Sequence, residues 1–292
     1  MDILPVIAGP VGPVGVAAGA PPPADLEPAS GLRFTVLGPL EIHDGLRIRT
    51  PRAHKLRVLL ALLLVRCNTV VSTDTLISEL WGERPPRTAL KALRVYVSQL
   101  RRTLSALPAH DRRPVIVTRD PGYRLEIDDG TLDLVRFERL CELGRMAAGE
   151  GDLERALRHY RAATGLWRGP ALVDVRSSSV LEGVALSLEE ARISALERRI
   201  RLQIRLGGHV EVIGDLRALA AEHPLHERVH AQLMVALYLA GRRADALAAF
   251  RVLREACVND LGVEPSHDLQ VLHRSILESN AESPRLWEAW IA

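Results

Sequence analysis

Between Arg84 and Thr118 the chain carries a dense set of basic side chains and a single acid, Asp111. A guanidinium or ammonium with no carboxylate beside it keeps its charge for an outside anion, and phosphate is the natural one. Periodicity tells which of these groups share a surface. Over Arg87–Leu104, the apolar residues Leu90, Leu93, Val97, Leu100 and Leu104 recur at helical spacing and are expected to face a core. The opposite face presents Thr88, Lys91, Arg94 or Val95, Ser98, Gln99 and Arg102, with Arg87 and Arg101 at its flanks. Arg and Gln match base edges, while Thr, Ser and Lys serve phosphates or bases. An ordinary solvated face mixes both signs, with Glu one turn before Lys or Arg. This face has no Asp or Glu, so the expectation is a helix lying in a DNA groove.

Two further clusters fit the same chemistry. Arg119 and Arg124 bracket the turn Asp120-Pro121-Gly122, where one or both guanidinium groups can reach a minor groove or its backbone. Tyr123 is read as packing inward. Arg52, His54 and Lys55 open another helix, where outward amides make a phosphate clamp, although plain surface charge explains them almost as well.

Positioning these groups requires a scaffold, and the pattern supplies one. Short strands are expected over Arg33–Leu37, Glu41–His43 and Leu46–Arg49. An apolar helix follows over His54–Arg66, with Leu56, Leu59, Leu60, Leu63 and Leu64 on one broad face, and Asn68 ends it. Ser72–Thr75 offers an N-cap for a second helix closing at Leu80-Trp81-Gly82, with Trp81 read as core. Pro85-Pro86 opens the third helix, which runs to about Leu107, and a hairpin over Val115–Arg119 and Tyr123–Ile127 completes the set. Strands, three helices and a hairpin, in that order, make a winged helix-turn-helix.

From residue 131 onward the pattern is helical throughout. Helices are expected over Asp133–Ala148, Asp152–Leu166, Ser177–Leu206, Val210–Glu222, His226–Leu239, Arg242–Leu261 and His267–Glu278. The stretches Gly151–Tyr160 and Gly241–Phe250 share a Gly, an Ala-Leu pair and an aromatic at matching offsets. Each reads as the second helix of a pair, and stacked pairs make an α-solenoid.

Composition sharpens this division. Apolar residues make up 47% and charged residues 25%, ordinary for a globular chain, and 292 residues suit two domains. The formal net charge of +2 argues against a strongly basic binder until it is divided. Residues 1–30 carry −3, residues 31–130 carry +7, and residues 131–292 carry −2. Segment 1–31, rich in Pro, Gly and Ala, is expected to be a disordered tail, and 281–292 a C-terminal tail. Three cysteines, Cys67, Cys141 and Cys257, cannot make an even disulfide framework, and without paired spacing they show no Cys-type zinc site. With no apolar run of membrane-spanning length and no signal sequence, the chain reads as cytoplasmic and nucleoid-associated.

One string invites an enzymatic reading. His226-Glu-Arg-Val-His230 fits the zinc metalloprotease pattern, but a third ligand in a recognised spacing is missing and the string falls on a solenoid helix. Glu189-Glu190 reads as solvated, and His209, His223 and His273 as surface or cap residues. No catalytic residue, metal or cofactor is expected.

The residues resemble a known family. Arg33-Phe-Thr-Val-Leu-Gly-Pro-Leu40, Arg57–Leu64, Leu80-Trp-Gly82 with Pro85-Pro86, Tyr96–Arg102 and Gly122–Leu125 look like the Streptomyces antibiotic regulatory proteins. Trp167-Arg-Gly-Pro170, His223-Pro-Leu225, Leu237–Gly241 and Leu261–Pro265 resemble that family's bacterial transcriptional activation domain. The likeness covers roughly residues 32–280. It implies an α+β OmpR-type winged helix over 32–130, then an all-α tetratricopeptide-like activation domain over 131–280. It also implies binding to direct repeats in promoters of antibiotic gene clusters, self-association on DNA, and recruitment of RNA polymerase holoenzyme. Larger members append an ATPase that nothing here resembles, which implies the small form, and Gln99 stands where many members have Arg. The rival reading is a helical-repeat interaction or ligand-sensing regulator in which DNA binding is secondary.

Overall fold

A computed structural model describes residues 32–45, 47–107, 115–278 and 290. The tail expected at 1–31, and that at 281–292 apart from Trp290, lie outside the described residues. Strand β1 (Arg33–Thr35) pairs antiparallel with β2 (Glu41–His43), with Phe34 opposite Ile42. The strand expected over Leu46–Arg49 is reduced to one bridge between His43 and Ile48. Asp44 governs that turn, accepting from the Arg47 amide at 2.6 Å and from Arg49 Nε at 2.7 Å.

Helix α1 (His54–Leu64) is buried at every position from Val58 to Leu64, not on one face as its leucine pattern suggested. The reason is tertiary: α1 is surrounded by the helices of the winged region, by its sheet and by a helix from the second half. Asn68 adopts φ 60°, and its side chain bonds both the amide and the carbonyl of Ile127 at 3.1 Å. That clamp ties the end of α1 to the hairpin. Helix α2 (Thr73–Trp81) follows β3 (Val71–Ser72), and the Ser72 hydroxyl accepts from the Thr75 amide at 3.1 Å. Helix α3 (Ala89–Ser105) leads to β4 (Val115–Arg119) and β5 (Gly122–Glu126), in a sheet ordered β3-β5-β4.

The rest is helical: α4 (Asp133–Gly149), α5 (Leu153–Thr164), α6 (Ser179–Arg205), α7 (Ile213–Glu222), α8 (Glu227–Leu239), α9 (Arg243–Ala256) and α10 (His267–Glu278). The last turn expected of α9 is a π-helical turn, Cys257–Leu261. In the first helix pair, Ala156 and Tyr160 are buried, and the Tyr160 ring lies so close to Gly144 that a Cβ there would meet it at 2.8 Å. In the later pair, Ala246 and Phe250 take the matching places, and Phe250 stacks on His273 with centroids 3.9 Å apart. No helix among the described residues is long and apolar enough to cross a membrane.

Two apolar cores result. The second gathers the end of α6 with α7–α10, and Trp290 packs on it. The first is continuous from Leu32 to Leu202 and so joins the winged region to α4, α5 and α6. At that join sits the β1–β2 loop, whose Val36, Leu37 and Leu40 are buried. Buried backbone polar groups must find partners, and here they come from the helical half. The Asp133 carboxylate accepts from the Val36 amide at 2.9 Å and the Leu37 amide at 3.1 Å, and Asp174 accepts from the Leu40 amide at 2.9 Å. In return, the Leu37 carbonyl accepts from the Arg168 amide at 2.9 Å, and Val36 and Gly38 carbonyls share the Leu172 amide at 3.0 and 2.8 Å. Gly38 has φ 147°, and a Cβ on it would stand 3.1 Å from that of Arg168, so glycine suits both its backbone and its neighbour.

Around this loop the charges are matched across the join. Arg57 pairs with Asp174, Arg168 with Glu41 at 2.5 Å, and Arg168 also donates to the Pro39 carbonyl at 2.7 Å. Glu79 of α2 accepts from the Val180 amide at 3.0 Å, capping the first turn of α6.

Burial pushes the Asp133 carboxyl up to about 7, against the pull of the Val36 and Leu37 amides and the Arg168 charge. An acid raised in the folded state contributes most below the unfolded value near 4 and loses that contribution as pH climbs through 7. The stability of the native chain relative to Asp133→Asn is therefore expected to fall between pH 4 and pH 7, at no more than about 1.4 kcal/mol per pH unit, and to level off above. Urea unfolding of both proteins across that range checks this; a flat difference would contradict it.

Candidate nucleic-acid interface

Helix α3 owes its orientation to a buried stripe of Ala89, Leu93, Val97, Leu100 and Leu104, of which the last four belong to the first core. Each large apolar side chain in such a stripe is worth about 1.5–3 kcal/mol of burial, enough to fix which face looks outward. Leu90, expected in the core, is instead 43% exposed, and Ala89 takes its place. Both registers are helical, so spacing alone did not separate them. The opposite face carries Thr88, Lys91, Arg94, Val95, Ser98, Gln99 and Arg102, all exposed, with exposed Arg87 just before the helix and Arg101 at its side. Leu90 and Val95 therefore add apolar surface to this face, of the kind that meets a thymine methyl.

The candidate cations divide into free and engaged. Arg52, Arg87, Lys91, Arg94, Arg102 and Arg119 are exposed and make no side-chain hydrogen bond or ion pair among the described residues. Arg101 is engaged: its Nε donates to the Ile116 carbonyl at 2.7 Å, its terminal nitrogen to Thr118 Oγ1 at 2.9 Å, and its guanidinium lies 6.0 Å from the Tyr123 ring. It locks α3 to the hairpin. Arg124 pairs with Glu126 on its own strand, and Lys55 donates to the Leu80 carbonyl at the end of α2 and lies 5.8 Å from the Trp81 ring. These three were expected to reach DNA; the structure turns their charged heads to intramolecular partners. Trp81 is half-buried and stacks with Tyr96. His54 reaches Ser177 Oγ at 3.1 Å, back toward the helical half.

Helix ends reinforce the division. Helix α2 and each of α4–α10 carry an acid in the first turn, where it complements the helix dipole. Helices α1 and α3 carry none, and neither has a side-chain cap. Both leave a positive N-terminal end for an anion from outside, beside Arg52 and beside Arg87 and Thr88.

The hairpin is held against β3 through a contact that only glycine allows. Gly122 faces Ser72 in the sheet, and a Cβ on it would lie 1.9 Å from the Val71 carbonyl oxygen. The Thr73 amide also donates to the Pro121 carbonyl at 3.0 Å, so the hairpin tip, with exposed Arg119 and Asp120, is pinned to the start of α2.

The metalloprotease string has other employment. His226 faces Glu197 at 3.4 Å, Glu227 accepts from the Ser266 amide at 2.8 Å, and His230 is 2% exposed, where burial lowers its imidazole below the ordinary range. Among the described residues, no three His, Cys, Asp or Glu are grouped to hold a metal ion. Sequence reasoning missed Asp133, Arg168, Asp174 and Glu79, which hold the interface in place from outside it. Their partners lie about a hundred residues away, so no local pattern marks them.

Known proteins share this arrangement. Residues 50–125 match the model described as transcriptional regulatory protein, C terminal, and residues 132–277 match the bacterial transcriptional activator domain. The regulatory protein DnrI of Streptomyces peucetius is 42% identical over 253 residues, 85% of this chain and 93% of the relative. The transcriptional regulator RedD of Streptomyces coelicolor is 37% identical, over 84% of this chain and 70% of the relative. The solved structure of Mycobacterium tuberculosis EmbR in complex with a low affinity phosphopeptide superposes with a TM-score of 0.80 at 38% identity, over 85% of this chain and 65% of that one.

Two outcomes follow from the geometry. Arg94→Ala should cost about 1–3 kcal/mol of binding and relax preference at one base position, whereas Arg102→Ala should weaken all sequences alike and lower the salt slope by about 1. Arg124→Ala, already paired with Glu126, should change affinity least. Fluorescence anisotropy against salt distinguishes them, and equal losses in all three would refute this division of roles. Separately, Gly122→Ala should destabilise the winged region by about 1–3 kcal/mol or more, because backbone atoms must move. An unchanged thermal midpoint would show the contact to be slack.

Proposed function

The chain belongs to the Streptomyces antibiotic regulatory protein family, and from that premise we propose that it activates an antibiotic-type biosynthetic gene cluster by reading direct repeats in promoter DNA and recruiting RNA polymerase holoenzyme. Membership makes it a transcriptional regulator with a DNA-binding region. Residues 32–130 form the DNA-binding unit of this reading, and residues 131–280 the activation unit.

The observation that carries the reading is the outer face of α3: exposed Arg87, Lys91, Arg94 and Arg102 without a carboxylate partner, on a helix with no acid in its first turn. Such a face has its charge available between two phosphate backbones. In this reading α3 enters the major groove, where Arg94 and Gln99 meet base edges, Lys91 and Ser98 meet phosphates or bases, and Arg102 meets a phosphate. Arg119 at the hairpin tip reaches the adjacent minor groove, and Arg52 a neighbouring phosphate. The near-neutral helical half, at −2 over residues 131–292, serves contacts with polymerase or with a second protomer on DNA.

Two protomers on the same side of the duplex must sit about one helical turn apart, roughly 10–10.5 base pairs centre to centre. DNase I footprinting upstream of the neighbouring biosynthetic genes should show two such protected repeats, with affinity falling steeply as salt rises. Adding the protein to purified holoenzyme on that promoter should raise transcript yield. Binding that ignores sequence, or a footprint without any rise in transcription, would refute the activator reading.

A further inference from the structure

Away from the DNA-facing elements, positive charge is also concentrated in a cleft of about 210 Å³ between α4, α5 and α6. Arg145 of α4, Tyr160 of α5, and Arg198, Arg201 and Arg205 of α6 line it, and Ala148 and Leu202 add apolar surface. The three arginines of α6 fall at i, i+3 and i+7, which stacks them along one helix face.

No carboxylate lines the cleft. Arg145 is paired with Glu142, one turn back on its own helix, where both side chains are nearly half exposed. Arg198 meets the Tyr160 hydroxyl at 3.5 Å, a neutral partner at the limit of a hydrogen bond. Arg205, exposed on the last turn of α6, makes no side-chain hydrogen bond or ion pair among the described residues. Burial lowers the Arg201 guanidinium from its ordinary range, and the Arg228 and Arg198 charges lower it further, while Glu197 opposes them. Cations thus crowd one another in a partly desolvated place, where an anion would be held more strongly than in water.

The shape narrows the choice of anion. Tyr160 is 1% exposed with its ring fixed on Gly144, so the wall is rigid. The volume lies below the roughly 300–1,000 Å³ of sites for drug-sized ligands, which points to something of metabolite size. The wall offered by Leu202, Ala148 and Tyr160 suits an apolar body attached to the charge.

We propose that this cleft binds a small organic anion, a carboxylate or phosphate monoester carrying an apolar or aromatic group, with Arg198 and Arg205 holding the anionic end. None of the lining residues belongs to the DNA-facing set, so the site stands or falls separately from DNA reading. The helices that carry the arginines are also the ones tied to the winged region, α4 through Asp133 and α6 through the Glu79 cap.

Calorimetric titration of the full chain with phenyl phosphate, benzoate and inorganic phosphate, at constant ionic strength, tests this. One site per chain is expected for phenyl phosphate or benzoate, tighter than for inorganic phosphate, and the stronger of the two identifies the anionic end. Arg205→Gln, at an exposed helix end, and Arg198→Gln should each weaken that binding by about tenfold, with DNA affinity and circular dichroism unchanged. Undiminished binding by both variants, binding of inorganic phosphate as tight as that of either organic anion, or no heat from any probe at millimolar concentration would each overturn the proposal.

Discussion

A buried loop without regular structure must have its backbone amides and carbonyls satisfied by something, and in this protein that requirement joins the two halves. The β1–β2 loop buries Val36, Leu37 and Leu40, and its polar groups are met by Asp133, Asp174, Arg168 and Leu172 of the helical half. Leu172 adopts φ 52° to present its amide to two carbonyls at once, a conformation a leucine holds only where the surroundings demand it. With the loop fastened, α1 is enclosed, one core runs from Leu32 to Leu202, and α6 begins against α2. The aim of α3 is therefore set relative to the helical half and not only within the winged region.

The same economy governs the basic side chains. Local charge cannot rank the basic side chains, and several serve the fold. Arg101 bonds the hairpin to α3, Lys55 covers the end of α2, and Arg57 and Arg168 neutralise acids at the join. Of the candidate DNA contacts, those without a side-chain partner among the described residues lie on and just before α3, before α1 and at the hairpin tip. The absence of an acid in the first turns of α1 and α3 singles out the starts of those two helices by an independent route. A guanidinium or ammonium that bonds a neutral carbonyl or hydroxyl keeps its charge, but its donors are turned to the fold.

In the helical half, packing follows the small-residue and aromatic pairing. Tyr160 lies on Gly144 and Phe250 on His273, and between them α6 runs through both cores. Glu189, which reads as solvated in the sequence, is structural here and accepts from the Ala171 amide at 2.8 Å, and Glu197 is 4% exposed beside His226 and Arg228. Of the two histidines in the metalloprotease-like string, His226 faces this acid and His230 is buried.

By itself, the sequence determined the order of elements and the acid-free face, because both are written in local spacing. Helix starts at His54 and at His267, the Ser72 cap and the hairpin around Gly122 lie where turn and cap chemistry put them. Periodicity could not decide whether Leu90 or Ala89 turns inward, since both continue a helical stripe; contact with the core decided it. Nor could it tell a free arginine from a bound one, or mark Asp133 as buried with a carboxyl raised to about 7. Those properties depend on partners a hundred residues distant, and on the water that packing removes. Only the tertiary structure brings those partners within bonding distance and sets how much solvent remains to screen a charge.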